Sequence, residues 1–445
     1  MNHFSRTTLL TFALLILALC PARVTAGIVF TKVADTTTSI PDGTGVFTSL
    51  ENPSIDNGRV VFVGNGAGGQ TGIYEYYGGK LTMRVNQSTP IPGGTGGFTK
   101  FDAPSLDGTD IAFQAEGAAK QAGIYTQFDG SLAVIADTTT PIPSAKGNFR
   151  FPSSPVDRGL ASLSDRTVSF MSATGIYVAS NGNIVPVVTV PPTTATPIPD
   201  QPYSFNFLWA DLLPQYADGQ LVLGGRSVDF GTGATTSGIY QWTKFSGLST
   251  VIDQNSILPG ETSAIGDFFA IPRTDNGTVF VNVIRAFDLN PLGLTLGPVE
   301  WRGLYRLDAG GLTPVLLQSD LSALRVRYIA NWALDDGRIA FPSYDRDIWT
   351  FRDGNLLPVV SEGDLVDGKL VSELSGWQLN QGREFVSGDQ IAVNLRFTDG
   401  SSGIYIATIP EPSTFVLTLV AIAGLALATR WRVYARAIHE LRGTA

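Results

Sequence analysis

Apolar residues in this chain come in short runs of three to five, cut by glycine-bearing turns, a cadence of strands rather than of helices. Val60-Val61-Phe62-Val63 follows Asp56-Asn57-Gly58, Ile111-Ala112-Phe113 follows Asp107-Gly108, and Ile339-Ala340-Phe341 follows Asp336-Gly337. Glycine beside Asp or Asn supplies the positive φ that a tight hairpin turn demands, so each of these places predicts a pair of antiparallel strands. Only the two ends break the cadence. Leu9 to Leu19 is largely apolar, and Thr414 to Thr429 is uncharged and long enough for a helix.

The strand pattern repeats. Gly72-Ile73-Tyr74, Gly123-Ile124-Tyr125, Gly175-Ile176-Tyr177, Gly238-Ile239-Tyr240, Gly303-Leu304-Tyr305 and Gly403-Ile404-Tyr405 are copies of one tripeptide, and Asp347-Ile348-Trp349 is a degenerate seventh in the one long gap. A further turn and strand follow each copy, and then a Thr/Pro loop such as Thr89-Pro90-Ile91-Pro92 or Thr140-Pro141-Ile142-Pro143. Phenylalanines come next, at Phe47, Phe98, Phe149, Phe205 and Phe268. About four strands in roughly 55 residues is the size of a propeller blade.

The phase of the repeat at its ends decides how the units are arranged. The last copy, Gly403-Ile404-Tyr405, stops without its following strand and Thr/Pro loop. The missing part stands at the other end: Lys32-Val33-Ala34-Asp35-Thr36-Thr37-Thr38-Ser39-Ile40-Pro41 matches Val134 to Pro143. A ring closes when an N-terminal strand completes the final sheet, and closure removes exposed edges. The prediction is an all-β fold, a β-propeller of seven blades with the N-terminal strand closing the last one. Irregular spacing between about residues 185 and 300 leaves six or eight blades open.

The ends carry addresses. Arg6, the run of about 11 residues from Leu9, and Val24-Thr25-Ala26 form a signal peptide, residues 1–26, with cleavage expected after Ala26. At 1.5 Å per residue that run falls short of a bilayer core of roughly 30 Å. Residues 27–409 are the repeat domain, and 410–445 form a third segment. There Pro410-Glu411-Pro412 ends the β structure, a helix at about 414–429 spans a membrane, and Arg430, Arg432 and Arg436 hold a cytoplasmic tail by the positive-inside bias.

Composition removes much chemistry from the body. The single cysteine, Cys20, lies in the signal peptide, and the two histidines, His3 and His439, lie in the end segments. Ser-His-Asp and Cys-His nucleophiles and the usual zinc ligand sets are therefore excluded between residues 27 and 409. The chain carries −9, each end segment +2, and the body therefore −13, which repels nucleic acid and anionic lipid. Carboxylate chemistry remains, with Asp345 and Asp347 or Glu362 and Asp364 as candidate pairs that surface turns explain equally. Asp364-Leu365-Val366-Asp367-Gly368 and Asp335-Asp336-Gly337 could offer oxygen ligands to calcium, the one cofactor left open, but neither has a full calcium-loop spacing. The tyrosines repeat at equivalent positions, which argues for packing rather than one active site. Six tryptophans, from Trp209 to Trp377, fall in the second half, where they either stack on sugars or pack between blades.

The triplet Pro410-Glu411-Pro412, the apolar stretch and the arginine cluster resemble the PEP-CTERM sorting signal of Gram-negative bacteria over about the last 36 residues. The Gly-Ile-Tyr and Thr-Pro-Ile-Pro units resemble the uncharacterised propeller-type repeats often joined to that signal. The resemblance implies recognition by a membrane protease of the exosortase type, export through the inner membrane, a membrane-held stage, and a final place at the cell surface or in the extracellular matrix. It implies a non-enzymatic protein binding extracellular polysaccharide or surface proteins. A carboxylate-dependent glycan hydrolase or lyase is the alternative.

Overall fold

The computed structural model describes residues 27–143, 145–151, 161–191, 193–208, 214–228, 235–266, 268–286, 299–321, 329, 332–343, 347–374 and 384–410. Their strands gather into seven antiparallel sheets that follow one another along the chain: 47–86, 98–137, 162–189, 207–253, 268–317, 333–361 and 365–408. Blade 1 shows the plan, with Phe47–Asp56, Arg59–Gly66, Thr71–Tyr77 and Lys80–Asn86 paired in order from innermost to outermost. The seventh sheet takes its outermost strand from the other end of the chain: Val29–Asp35 pairs with Ser402–Thr408, and the Thr36 amide donates to the Ser402 carbonyl at 2.9 Å. The blade number is seven and the closure is the one the repeat phase predicts. The degenerate copy Asp347-Ile348-Trp349 opens the third strand of blade 6, Asp347–Arg352.

The second strand of a blade alternates its side chains between two neighbouring blades, so both its faces are apolar and its run reads as continuous, whereas the outermost strands are more exposed. Val60 and Phe62 pack with Ile404, Ile406 and Ala392 of blade 7, whereas Val61 and Val63 pack with Phe98, Phe113 and Tyr125 of blade 2. The core is thus a set of inter-blade layers. The layer between blades 7 and 1 contains Val33 and Ala34 from the closing strand. Contacts gather residues 30–408 into one unit.

The recurring tripeptide has a local cause. The register slips between Ile73 and Tyr74, and at the equivalent step in blades 2 to 6, so the outermost strand bulges opposite. At Gly72 a Cβ would then lie 2.8 Å from the Val85 carbonyl oxygen and 3.2 Å from the Tyr74 hydroxyl. The tyrosine ring meets the phenylalanine of the preceding loop edge to face: Phe47–Tyr74 at 4.9 Å, Phe98–Tyr125 at 5.0 Å, Phe149–Tyr177 at 4.8 Å and Phe205–Tyr240 at 4.9 Å. Pro186, Pro314 and Pro358 stand opposite Tyr177, Tyr305 and Trp349 on outermost strands, where a missing N–H blunts the edge.

Candidate functional site

Antiparallel order puts the first and third turns of every blade on one face of the ring and the remaining connections on the other. On the first face, the turn joining the two innermost strands carries a Ser-apolar-Asp lead-in, as in Ser54-Ile55-Asp56 and Ser105-Leu106-Asp107. Its central residues hold positive φ, 47° and 77° at Asn57 and Gly58, which is why Asn, Asp and Gly recur there. These turns are stitched together. Asp56 accepts from the Gly108 amide at 2.6 Å, Asp107 from Asp165 at 2.6 Å, Asp218 from Gly277 at 2.9 Å, Asp275 from Gly337 at 2.8 Å, and Asp335 from Gly388 at 2.7 Å. The Ser387 hydroxyl accepts from the Asn57 amide at 3.0 Å and returns the chain of bonds to blade 1.

A second series of bonds joins the innermost strands deeper in the channel. Ser105 accepts from the Leu163 amide at 2.8 Å, and Gln215 from the Thr274 amide at 2.9 Å. Between blades 7, 1 and 2 the carboxylate of Glu384 takes this place. It accepts from the hydroxyls of Ser54 at 2.9 Å and Ser105 at 2.6 Å and from the Leu106 amide at 2.8 Å, while its own carbonyl accepts from Ile55. The guanidinium of Arg273, in blade 5, is buried and donates to the carbonyls of Trp332 and Pro272. Burial pushes its pKa down to about 10, against the pull of the Glu384 charge, so it stays a cation at neutral pH. Arg273 and Glu384 are thus unlike charges, on blades 5 and 7, whose hydrogen-bond partners lie in their own and nearby blades.

The opposite face is built from the loops that lead from one blade into the next. Those at Asp35, Asn86, Asp137 and Asp253 begin with an Asx cap: Asp137 accepts from the amides and hydroxyls of both Thr139 and Thr140, and Asn86 from Ser88 and Thr89. The loop then buries one aliphatic side chain, Ile40, Ile91, Ile142 or Ile198, and closes with a bond from its amide to a residue five on. In blades 1 and 2 this flap is clamped. Gln70 exchanges two bonds with the backbone of Thr44, and Gln121 does the same with Thr95, all at 2.9 Å. Both glutamines follow a short 3-10 turn, Ala67–Gly69 or Ala118–Lys120.

Blade 3 lacks the clamp. Its second and third strands, Thr167–Ser172 and Gly175–Ser180, are joined by Ala173 and Thr174 alone. An open cleft of about 1130 Å³ lies there, bounded by the flap at 138–150, by Ala173 and Thr174, and by Thr193 and Thr194 of the next loop. Counting from the buried isoleucine, Lys146 occupies the place of Thr44 and Thr95. Arg150, after the phenylalanine, occupies that of Thr48 and Thr99. Both cations are exposed and neither has an ion-pair partner among the described residues.

Residues singled out by sequence fall elsewhere. Asp364 caps a turn by accepting from the Ser361 amide, Asp347 opens a strand, and Asp345 lies outside the described residues. The tyrosines of the tripeptide are buried in the inter-blade layers. Trp301 and Trp332 are buried, and Trp242 and Trp349 are half-buried. Among the described residues no group of three or more His, Cys, Asp or Glu side chains is placed to hold a metal ion. Glu384 and Arg273 were missed by sequence reading; the Ser-apolar-Asp lead-in was the available signal for the innermost strands, and Glu384 precedes its position in blade 7.

Pro410 follows the buried Ile409 at the end of the described chain. Ala26, Glu411, Pro412, Arg430, Arg432, Arg436 and the span expected at 414–429 lie outside the described residues. Among the described residues no helix is long and apolar enough to cross a membrane.

No family model and no curated protein matches the chain. Among solved structures it is similar to the β-propeller domain of the Trilobed protease from Pyrococcus furiosus (11% identity, TM-score 0.48, 82% of this chain and 99% of that one). It is also similar to YCF48 from Cyanidioschyzon merolae (13%, TM-score 0.41, 86% and 99%). BamB from Moraxella catarrhalis gives 10%, TM-score 0.36, 85% and 97%. The seven-bladed propeller rests on the strand pairing of this chain itself.

Proposed function

We propose that this is an exported, non-enzymatic binding protein of the bacterial surface or matrix. Its propeller engages extracellular glycan or protein partners, and its Pro410-Glu411-Pro412 segment is the handle for an exosortase-type protease at the membrane. The observation that carries the binding half of this reading is the state of the channel charges. A catalytic carboxylate has to face substrate with its lone pairs and proton available, whereas Glu384 spends its oxygens on two serine hydroxyls and an amide of the neighbouring blades. Arg273 is likewise turned to backbone carbonyls. The sorting half is supported by the order of the Pro-Glu-Pro triplet, the uncharged stretch and the arginines.

The test is a pull-down of the purified full-length chain on a panel of insoluble polysaccharides and on outer-surface protein extract, with reducing ends assayed in the supernatant. Retention on at least one matrix without release of reducing ends is the expected result. Release of reducing ends that disappears in Glu384→Gln would instead establish the glycan hydrolase.

A further inference from the structure

We infer that the cleft beside blade 3 is a binding site for an anionic polysaccharide, one bearing carboxylates on a hydroxyl-rich chain; this deepens the binding reading above and rests on it. The argument starts from the repeat. Three successive flaps share one backbone, with Ile40, Ile91 and Ile142 each bonded to the residue five on. In the first two, the space above the flap is taken by the glutamine clamp, and the equivalents of Lys146 and Arg150 are threonines. In the third, the connection that would carry the glutamine is cut to Ala173-Thr174, and both threonines are replaced by cations. Loss of the clamp opens the cavity; the replacements charge it.

Among the described residues, the two cations that line this cleft have no ion-pair partner and no carboxylate lines it, in a body whose net charge is −13. Most other basic side chains of the blades are already engaged, as Arg59 and Arg84 are with Glu75, Arg166 with Asp110, and Arg302 with Glu261. Lys146 and Arg150, without an ion-pair partner among the described residues, can take an anionic ligand, with the guanidinium suited to a carboxylate fork. The remaining polar wall residues are Thr138, Asn148, Thr174, Thr193 and Thr194. The Thr174 hydroxyl is taken by Ser172 and Tyr177, and Asn148 and Thr193 each spend one donor on the backbone, which leaves their oxygens and the hydroxyls of Thr138 and Thr194 for sugar hydroxyls. The large apolar wall residues Ile142 and Phe149 are buried, so the apolar part of the wall is completed by the small side chains of Ala145 and Ala173 rather than by a bulky hydrophobic anchor. Repulsion from the acidic body opposes any polyanion at long range, so recognition is local and of modest affinity.

The experiment compares the full-length chain with a K146T/R150T variant, which restores the residues of the first two flaps and so keeps the loop chemistry. Binding is measured by co-sedimentation or interferometry with polygalacturonate, with neutral dextran and poly-L-glutamate as the other probes. The expected result is binding of polygalacturonate that weakens about tenfold or more in the variant, with little binding of dextran or poly-L-glutamate. A Lys80→Thr change on the other face leaves it unaltered. Near-UV circular dichroism confirms that the variant is folded. Equal binding by both chains overturns the site. Stronger binding of poly-L-glutamate makes it an acidic-peptide site and overturns the ligand class. Retention of dextran without polygalacturonate sinks this inference while leaving the broader glycan-binding reading intact.

Discussion

Asp35 and Asp137 head flaps on one face of the ring, and Asp107 and Asp335 sit in the stitched turns on the other. All four carboxylates accept backbone amides, and burial pushes all four upward. Their titration nevertheless diverges. At Asp35, hydrogen bonds from Thr37 and Thr38 and the Lys32 charge outweigh burial and hold the carboxyl at about 2, and Asp137 is lowered in the same way by Thr139 and Thr140. At Asp107, burial wins over the Asp165 amide and is joined by the charges of Asp165, Asp56 and Asp110. At Asp335 it is joined by Asp275, Asp56 and Asp336, so both are raised. A carboxylate supplied with hydroxyls, as Asp137 is, or with hydroxyls and a lysine, as Asp35 is, stabilises the fold as an anion. One crowded into a ring of others is held there at an electrostatic cost.

The largest expected effect tests whether the turn face depends on its one deep carboxylate. Glu384→Ala leaves the hydroxyls of Ser54 and Ser105 and the Leu106 amide without their acceptor at the junction of three blades. The expected loss is about 3 kcal/mol or more, read from chemical denaturation. Glu384→Gln keeps the acceptor and recovers part of it. A loss below about 1 kcal/mol for Glu384→Ala would mean that water satisfies this junction and that the channel is not held by it.

The flap face predicts a smaller, pH-dependent effect. Asp137→Ala removes a cap that serves two amides and two hydroxyls, with an expected cost of about 1–2 kcal/mol at pH 7. Because the folded pKa is lowered, that stability is present above the unfolded value near 4 and drains away as pH falls toward the folded one. The wild-type and Ala denaturation midpoints therefore converge in acid. Asp137→Asn is tolerated, since Asn86 already performs the same cap in blade 1.

Much of this was legible before the coordinates. The tripeptide marks the third strand of six blades because at Gly72 and its equivalents a Cβ would crowd the carbonyl of the bulged outermost strand, and the tyrosine packs beside the loop phenylalanine; blade 6 makes the same bulge with Asp347 and Trp349. Such a constraint is local and recurs, so it survives as a pattern. The closure was readable for the same reason, as a phase shift between Asp35 and Asp137. Glu384 was not readable. Its partners Ser54 and Ser105 stand 330 and 279 residues away, and its own blade offers no second copy for comparison. The cleft was hidden in another way: it arises from what blade 3 lacks, and a shortened connection is conspicuous only once the glutamine clamps of blades 1 and 2 are seen in space. The opposite behaviour of similar turn aspartates was also beyond a linear reading, because neighbouring charge comes from other blades.

The smallest effect carries the opposite sign. Asp107→Asn keeps a carbonyl oxygen to accept the Asp165 amide and discards the charge that Asp56, Asp110 and Asp165 oppose. For an acid whose folded pKa is raised, the native state binds more protons than the unfolded chain between the two values, so stability falls as pH rises through that window. Above it the wild type bears the full electrostatic cost, and the amide does not. Asp107→Asn should therefore raise the free energy of unfolding at pH 7 by less than about 1 kcal/mol, read from chemical denaturation, and the gain should vanish below about pH 4, where Asp107 is protonated in both states. Asp137→Ala loses its effect in the same acid range from the other side. If Asp107→Asn proved destabilising at pH 7, the anion would be the stronger partner for the next blade's turn, and the crowded charge would hold the turns together rather than strain them.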